Sequence, residues 1–502
     1  MDKVRASASG LLGDALLEAG QYLPMPCRRR HTCGKCGVYV AGEVEPPGAL
    51  ETELLARSRQ PELPGYDYRL ACLTHFSGEA SVVVSSISGV VVADVGMDLA
   101  TYDGPDPDSL GLAIDVGTTT VTVLLFRLGS RESLADASEL NHQVAHGADV
   151  LSRIDAANKL GVHPLQTLIV DQLNAMVGRV LDDAGADGAQ VTRVTITGNT
   201  TMLHLLTGLE VTSLGVSPFT PVTLFGETRP AASVLDGLPN AELYLPPGIS
   251  TYVGPDITCG LVATGLGSVG RPELLVDLGT NGEMALSAGG KLWCCATAAG
   301  PAFEGAEISS GMPALPGAIE DVFADGDDIG FTTIEHKRPK GVCGTGLIAA
   351  VNTWLDSGLV DSSGAMSAES SRIGSSEISL TRADVRMLQL AKAAVAAGID
   401  TLLSEAGLTP SDVATLNLAG GFGSYLQAGP AIGIGLLPAA TADCVTPAGN
   451  SALSGAVLLT LSTAARRAAQ QRADEAIEVS LATHPVFMDR YIDDMTFRDD
   501  DA

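Results

Sequence analysis

Two stretches of this chain repeat one local pattern. LAIDVGTTTVTVLLF at 112–126 and LLVDLGTNGEMALSA at 274–288 each run from an apolar strand into Asp-x-Gly-Thr and out into a second apolar strand. Asp115 and Asp277 lie 162 residues apart, which leaves room for a complete α/β half behind each hairpin. HPLQTLIVDQLNAMVGRVLDDAG and DVRMLQLAKAAVAAGIDTLLSEAG carry apolar residues at three- and four-residue spacing, as amphipathic helices do. Strands alternating with helices predict α/β layers, here two related halves over 110–270 and 271–465.

A strand that enters Asp-x-Gly-Thr-Thr and a tight turn suits a triphosphate. Asp115 can position Mg2+ through its waters, Gly117 admits the backbone to the phosphates, and the Thr118 and Thr119 hydroxyls donate to anionic oxygens. The second copy offers Asp277, Gly279, Thr280 and Asn281 from the opposite wall. One such turn is a weak signal, because glycine and threonine are common where strands reverse. GVCGTGLIAAV at 341–351 is a glycine-rich turn entering an apolar helix; it suits either an anion at a helix N-terminus or packing between domains. TITGNTTMLHLLTG at 195–208 has the same character, with His204 expected as a packed helical residue.

The N-terminal part carries different chemistry. Cys27, Cys33 and Cys36 form a C-x5-C-x2-C run, and Cys72 follows 36 residues after the third. Each iron of a two-iron, two-sulfide cluster takes two protein thiolates, and this spacing supplies four. Gly34 and Gly37 stand where backbone amides can approach the sulfides. Zinc is the competing occupant, but structural zinc sites pair two close two-cysteine hooks. The run resembles plant-type or adrenodoxin-type ferredoxin domains, with the wider first spacing of the latter, and RLACLTHF around Cys72 fits them. EASVVVSSISGVVV reads as that domain's closing strands, giving an α+β [2Fe–2S] domain over 1–95. TYDGPDPDSLG then reads as a linker, within 96–109. The other five cysteines, Cys259, Cys294, Cys295, Cys343 and Cys444, show no ligand spacing and read as buried thiols.

Composition narrows the partners. A formal net charge of −29 opposes nucleic acid and anionic membranes, and 4% aromatic residues leave few platforms for stacked bases. Residues 1–95 hold nine Lys/Arg against eleven Asp/Glu, so the acidity belongs to the rest. Arg28, Arg29, Arg30 and Lys35 gather beside the cluster cysteines, either to stabilise the reduced cluster and steer an acidic partner or as a solvated loop. Asp14 and Glu18 break the N-terminal apolar patch, arguing against a signal peptide and for the cytoplasm. No stretch approaches the roughly 20 uninterrupted apolar residues of a membrane span. Residues 361–379 look like an exposed serine-rich loop, and 466–502 like an acidic C-terminal tail.

The order of motifs resembles the acetate kinase, sugar kinase, Hsp70 and actin superfamily. DVGTTT and VDLGTNGE stand as the two phosphate segments, VGPDITCGLVATGL as the first connecting helix, LNLAGGFGSYL as the adenosine segment and GNSALSGAVLL as the second connecting helix. The resemblance implies that Asp256 is the acidic group of the first connection and that Gly420 and Gly421 lie against the adenosine. Together with the cluster domain, GNTTMLHLL and VFMDRYIDDM, nearly the whole chain is similar to reductive activators of corrinoid proteins. These use ATP to return Co(II) corrinoid to Co(I) in methyltransferase systems. That resemblance implies a corrinoid protein partner, a low-potential electron donor and a cluster that needs ATP to drive an uphill transfer, and is compatible with a homodimer. The segment before Cys27 is short for the paired strands that open such ferredoxin domains, and the linker is short for the family. Two alternatives carry different chemistry: a redox-regulated small-molecule kinase, and an activator of a radical dehydratase, whose cluster cysteines sit in the ATPase fold itself.

Overall fold

The computed structural model describes residues 2–7, 10–18, 36–55, 66–84, 97–305, 307–326, 328–420 and 426–497. Cys27, Cys33, the basic residues between Arg28 and Lys35, Gly34 and Gly421 lie outside the described residues. The chain divides into two units, Met1–Ser88 and Gly89–Ala502.

In the first unit, β1 (Asp2–Ser7), β2 (Gly10–Leu11), α1 (Leu12–Glu18), β3 (Gly37–Val44), α2 (Ala49–Leu55), β4 (Asp67–Leu70) and β5 (His75–Val84) build one sheet ordered β1-β5-β3-β4. The short lead segment does form strands, since β1 and β2 both pair antiparallel with β5. Leu12, Leu16, Val38, Val40, Leu70, Phe76 and Val82 make its core, and Cys36 and Cys72 join it. Gly37 is glycine for a packing reason, because a Cβ there would fall 1.7 Å from the Tyr68 hydroxyl.

The second unit opens with α3 (Met97–Ala100). The first lobe follows: β6 (Leu110–Val116), β7 (Thr120–Arg127), β8 (Ser133–Leu140), α4 (Val150–Leu160), α5 (His163–Ala184), β9 (Val191–Gly198), α6 (Thr200–Thr207), β10 (Glu227–Pro230) and β11 (Glu242–Leu245), in sheet order β10-β11-β9-β6-β7-β8. α7 (Pro255–Thr264) leads to β12 (Glu273–Leu278), β13 (Gly282–Ala288), β14 (Lys291–Thr297), β15 (Ala318–Asp325), β16 (Asp328–Thr333), β17 (Gly341–Val342), α8 (Gly344–Asp356), β18 (Ser370–Arg372), β19 (Ser379–Thr381), α9 (Arg382–Ala406), β20 (Thr415–Ala419), α10 (Ala428–Gly433), β21 (Val445–Gly449), α11 (Ser451–Leu461), α12 (Thr463–Glu475), β22 (Ala476–Glu478) and α13 (Pro485–Asp493). The second lobe's sheet is β21-β20-β12-β13-β14-β22. In each lobe three antiparallel strands start the sheet, and the first of them pairs in parallel with a later strand. The two halves read from the repeated hairpin therefore share one topology.

Local signals explain the element ends. Asp149 with Ser152 forms a capping box on α4, Thr381 with Asp384 forms one on α9, and Gly185 and Gly407 close α5 and α9 in left-handed conformation. In the first lobe Leu165, Ile169, Leu173, Met176 and Val180 of α5 pack with the apolar residues of β6 and β7. α9 is long and apolar enough to cross a membrane, yet 72% of its most apolar stretch is buried in the lobe. It is a core helix.

Three readings need correction. Residues 97–109 of the expected linker are docked: Asp103 accepts from Thr463 N (2.7 Å) and from Arg193 (2.7 Å), and Arg193 also donates to Leu461 O (2.8 Å). Burial works against the Asp103 charge, but the Thr463 and Arg193 hydrogen bonds hold its carboxyl down at about 2. Residues 466–497 of the expected tail are folded, because β22 adds to β14, Lys392 Nζ donates to Thr496 O (2.6 Å) and Phe497 is buried. The serine-rich stretch contains β18 and runs into β19, with which β18 pairs antiparallel.

The helices that connect the lobes exchange places. α7, which follows the first lobe in sequence, seats Ile257 and Leu261 with Leu275, Ala285 and Cys294 of the second lobe's sheet. α11, which follows the second lobe, lies on β6 and β9 of the first, where Thr460 donates to Thr195 (2.8 Å). The two helices cross at glycines: a Cβ on Gly455 would meet Cys259 O at 2.1 Å, and one on Gly260 would meet Ser451 Oγ at 2.8 Å. Gly455→Ala must push backbone away and should destabilise the unit by about 1–3 kcal/mol. Gly178→Ala, at an exposed helical site with nothing within 4 Å, should stabilise it by about 0.5–1 kcal/mol; urea unfolding of both variants measures the contrast.

Candidate functional site

The repeated hairpins face one another. The β6–β7 turn holds Gly117, Thr118 and Thr119, and the β12–β13 turn holds Gly279, Thr280 and Asn281. Thr119 Oγ1 and Thr280 Oγ1 are 3.3 Å apart. Gly117 N donates to Thr120 O (3.0 Å), a turn so tight that a Cβ would sit 2.6 Å from that oxygen. Neighbouring side chains fix the first hairpin: Asn141 donates to Gly117 O (2.9 Å), Asn199 donates to Thr118 Oγ1 (2.9 Å), and buried Arg153 donates to Thr118 O. Asn199 also caps α6 by accepting from Met202 N (3.0 Å).

Beneath the hairpins lies a group of carboxylates. Asp115 stands near the end of β6, Asp277 near the end of β12 directly opposite Glu283 of β13, and Asp256 in the first turn of α7. Burial pushes Asp115 up to about 6, its hydrogen bond from Asn450 (2.9 Å) opposing. Burial and the Asp115 charge push Asp277 up to about 7, with Ser451 donating at 3.4 Å. Burial, then repulsion from Asp277 and Asp115, pushes Asp256 up to about 7, although Ile257 N donates to it (2.9 Å). Burial and the Asp256 and Asp277 charges push Glu283 well up. Among the described residues no three acidic, histidine or cysteine side chains form a direct metal cage. The donor set instead suits a cation that keeps its waters between itself and the carboxylates, as Mg2+ does.

The structure thus brings Asp115, Asp256, Asp277, Thr119 and Thr280 to one cleft. Gly420, at φ 94°, directly follows β20 there for a reason the sequence reading did not see: a Cβ would meet Leu278 O at 2.3 Å and Asp277 Oδ1 at 2.6 Å. Several site residues escaped the sequence reading. Asn199, Asn450 and Glu283 sit inside noted motifs, the two asparagines as helix caps, whereas Arg153 and Glu304 carried no local signal. Glu304 accepts from Thr119 (2.8 Å) and from Thr280 (3.0 and 3.1 Å). His204 is a packed residue, with Nδ1 2.7 Å from Thr200 O and Nε2 accepting from Val222 N (3.2 Å).

In the N-terminal unit Cys36 precedes β3 and Cys72 lies in the β4–β5 turn, both buried. Cys72 N donates to Cys36 Sγ (3.4 Å), and hydrogen bonding from the Cys72 thiol brings Cys36 down to about 7 against its burial. A buried ion pair braces this turn: Glu51 accepts from Arg69 Nε (2.9 Å) and Nη2 (2.8 Å), from Leu70 N (2.9 Å) and from Thr74 (3.1 Å). Cys72 on the braced turn and Cys36 beside it fit half of a four-thiolate set. Elsewhere burial pushes the thiols of Cys259, Cys294, Cys295, Cys343 and Cys444 up.

Residues 110–268 match the middle region of RACo, and residues 271–502 match its C-terminal ASKHA domain. The chain is 33% identical over 423 residues to the corrinoid activation enzyme RamQ of Eubacterium limosum, covering 78% of this chain and 70% of the relative. It is 27% identical to a [Co(II) methylated amine-specific corrinoid protein] reductase of Methanosarcina barkeri, over 77% of each chain. Its fold is similar to that of a solved reductive activator for corrinoid, iron-sulfur protein, with a TM-score of 0.72, 28% identity, and coverage of 97% of this chain and 95% of that one.

The carboxylate group sets a pH dependence. Asp277 and Asp256 are each raised in the folded chain to about 7, above their unfolded value. Their contribution is therefore most favourable below pH 4 or so and is lost as pH rises through about 7. Asp277→Asn should flatten the fall in stability between pH 5 and pH 8 and stabilise the nucleotide-free protein at pH 8 by about 1 kcal/mol or more, one pKa unit being worth about 1.4 kcal/mol. Denaturant unfolding across that range checks both.

Proposed function

The chain belongs to the RACo family of corrinoid activators, and from that premise we propose that it is an ATP-dependent reductive activator that returns the Co(II) of a partner corrinoid protein to Co(I). Cys27, Cys33, Cys36 and Cys72 would hold a [2Fe–2S] cluster, which would supply the one-electron relay from a low-potential donor. The observation that carries the ATP part of the reading is the facing pair of hairpins, with Thr119 and Thr280 within 3.3 Å across the cleft.

The residues divide the work. Thr118, Thr119, Thr280 and the turn amides donate to the phosphates from both lobes, so a bound triphosphate draws the lobes onto itself. Asp115 and Asp277 would hold Mg2+ through its waters, and the cation would supply the charge that offsets the repulsion among the four carboxylates. Asp256 on α7 and Asn450 and Ser451 at the start of α11 tie both connecting helices to those carboxylates. Occupancy is thereby felt at the helix crossing, and a ligand that binds one lobe arrangement better shifts the population toward it. Gly420 keeps its side of the cleft free of a side chain, where the family resemblance places the adenosine.

When held by these thiolates, the cluster supplies a one-electron store near −400 mV or so. Glu51 and Arg69 keep the Cys72 turn in place, and burial of Cys36 and Cys72 shelters their sulfurs from water. The cobalt couple is the more negative of the two, so the transfer runs uphill unless the closed ATPase binds the corrinoid protein in a form easier to reduce.

The test is the visible spectrum of a Co(II)-loaded corrinoid protein mixed anaerobically with this chain and a low-potential reductant, with and without MgATP. A Co(I) band that requires MgATP and is lost in Cys33→Ala is expected. Reduction that is equally fast and complete without nucleotide overturns the reading.

A further inference from the structure

Glu304 ends the 3-10 turn Pro301–Glu304 of the second lobe, and neighbouring Ala302 and Phe303 are buried. Its carboxylate receives the hydroxyl of Thr119 from the first lobe and that of Thr280 from the second. These are the two hydroxyls that the ATP reading assigns to the phosphates. A threonine hydroxyl has one proton to donate. Given to Glu304, it is not available to a phosphate oxygen. Among the described residues Glu304 makes no ion pair within 4 Å that would neutralise it, and the nearby Arg153 guanidinium already donates to Thr118 O, Gly147 O and Gln143. The carboxylate therefore has the charge sign, acceptor chemistry and two-sided reach of a phosphate, and it bridges the lobes as a phosphate would.

Resting on the ATP reading above, we propose that Glu304 is an internal stand-in for the terminal phosphates of ATP, a cross-lobe clasp that the nucleotide must displace in order to bind. The clasp joins Thr119 to Thr280 in the nucleotide-free chain and keeps the hairpins in register. Binding then exchanges one anion for another between the same two donors, so part of the phosphate's interaction energy is used to turn Glu304 out. Weak ligands that lack the phosphates gain nothing from its displacement. Glu304 thus sets the threshold for occupancy and favours a triphosphate over an unphosphorylated nucleoside.

Calorimetric titration of the full-length chain with MgATP and with adenosine tests this, comparing wild type, Glu304→Gln and Glu304→Ala. Glu304→Gln removes the charge and keeps an acceptor; Glu304→Ala removes both. MgATP should bind about tenfold more tightly to Glu304→Gln and at least as tightly to Glu304→Ala, while adenosine affinity stays unchanged. A role in folding alone would shift the melting temperature and leave the MgATP-to-adenosine ratio where it was. Unchanged or weaker MgATP binding in both variants overturns the proposal, including the case in which ATP turnover falls while affinity holds. Failure of the wild-type chain to bind MgATP at all would instead overturn the ATP reading, and the clasp with it.

Discussion

The crossing of α7 and α11 is the constraint on which the second unit rests. Each lobe's closing helix is seated on the other lobe's sheet, so neither lobe's apolar face is covered by its own sequence alone. The crossing can be this close only because Gly455 and Gly260 present no side chain to Cys259 O and Ser451. Backbone touching backbone tolerates rotation but resists separation, since interiors are packed to the density of organic solids. The same two helices begin at the carboxylates, through Asp256, Asn450 and Ser451. Chemistry at the cleft and geometry at the pivot are one connected object.

The cleft itself is built at a cost to the resting protein. Like charges placed directly across a strand pair destabilise it, and Asp277 faces Glu283 in this way. Burial adds to the penalty for every charged member of the group. Such an arrangement is poorly suited to stabilising the fold and well suited to receiving a cation with its waters. The stored repulsion is released when the group is neutralised, so binding acts on stability as well as occupancy.

Much of this was legible in the residues. The Asp-x-Gly-Thr repeat announced both hairpins, the two lobes and their shared topology, because strand periodicity and turn chemistry are local. Asp256 was reachable only through the order of motifs. Glu304 was not reachable at all: it lies 185 residues from Thr119, on a short turn with no periodic signature. Asn450 is 335 residues from Asp115. The docking of Asp103 and the folding of 466–497 were missed for a related reason, since acidic, Pro/Gly-containing or polar stretches look like linkers until a partner such as Thr463 or Lys392 is known. In the N-terminal unit the cysteine spacing was plain, but the Glu51–Arg69 brace joins residues 18 apart on a helix and a strand.

The contrast between the two sets of thiols has a consequence for where the folded chain offers a thiolate. Only thiolates attack iron, alkylating agents or peroxide at useful rates. The thiols of the ATPase unit are held protonated by burial, whereas that of Cys36 is pulled down toward neutrality beside Cys72. The thiolate form is therefore far easier to reach at Cys36 than at the thiols of the ATPase unit. A thiophilic ion entering the folded chain meets a readily deprotonated sulfur in the N-terminal unit.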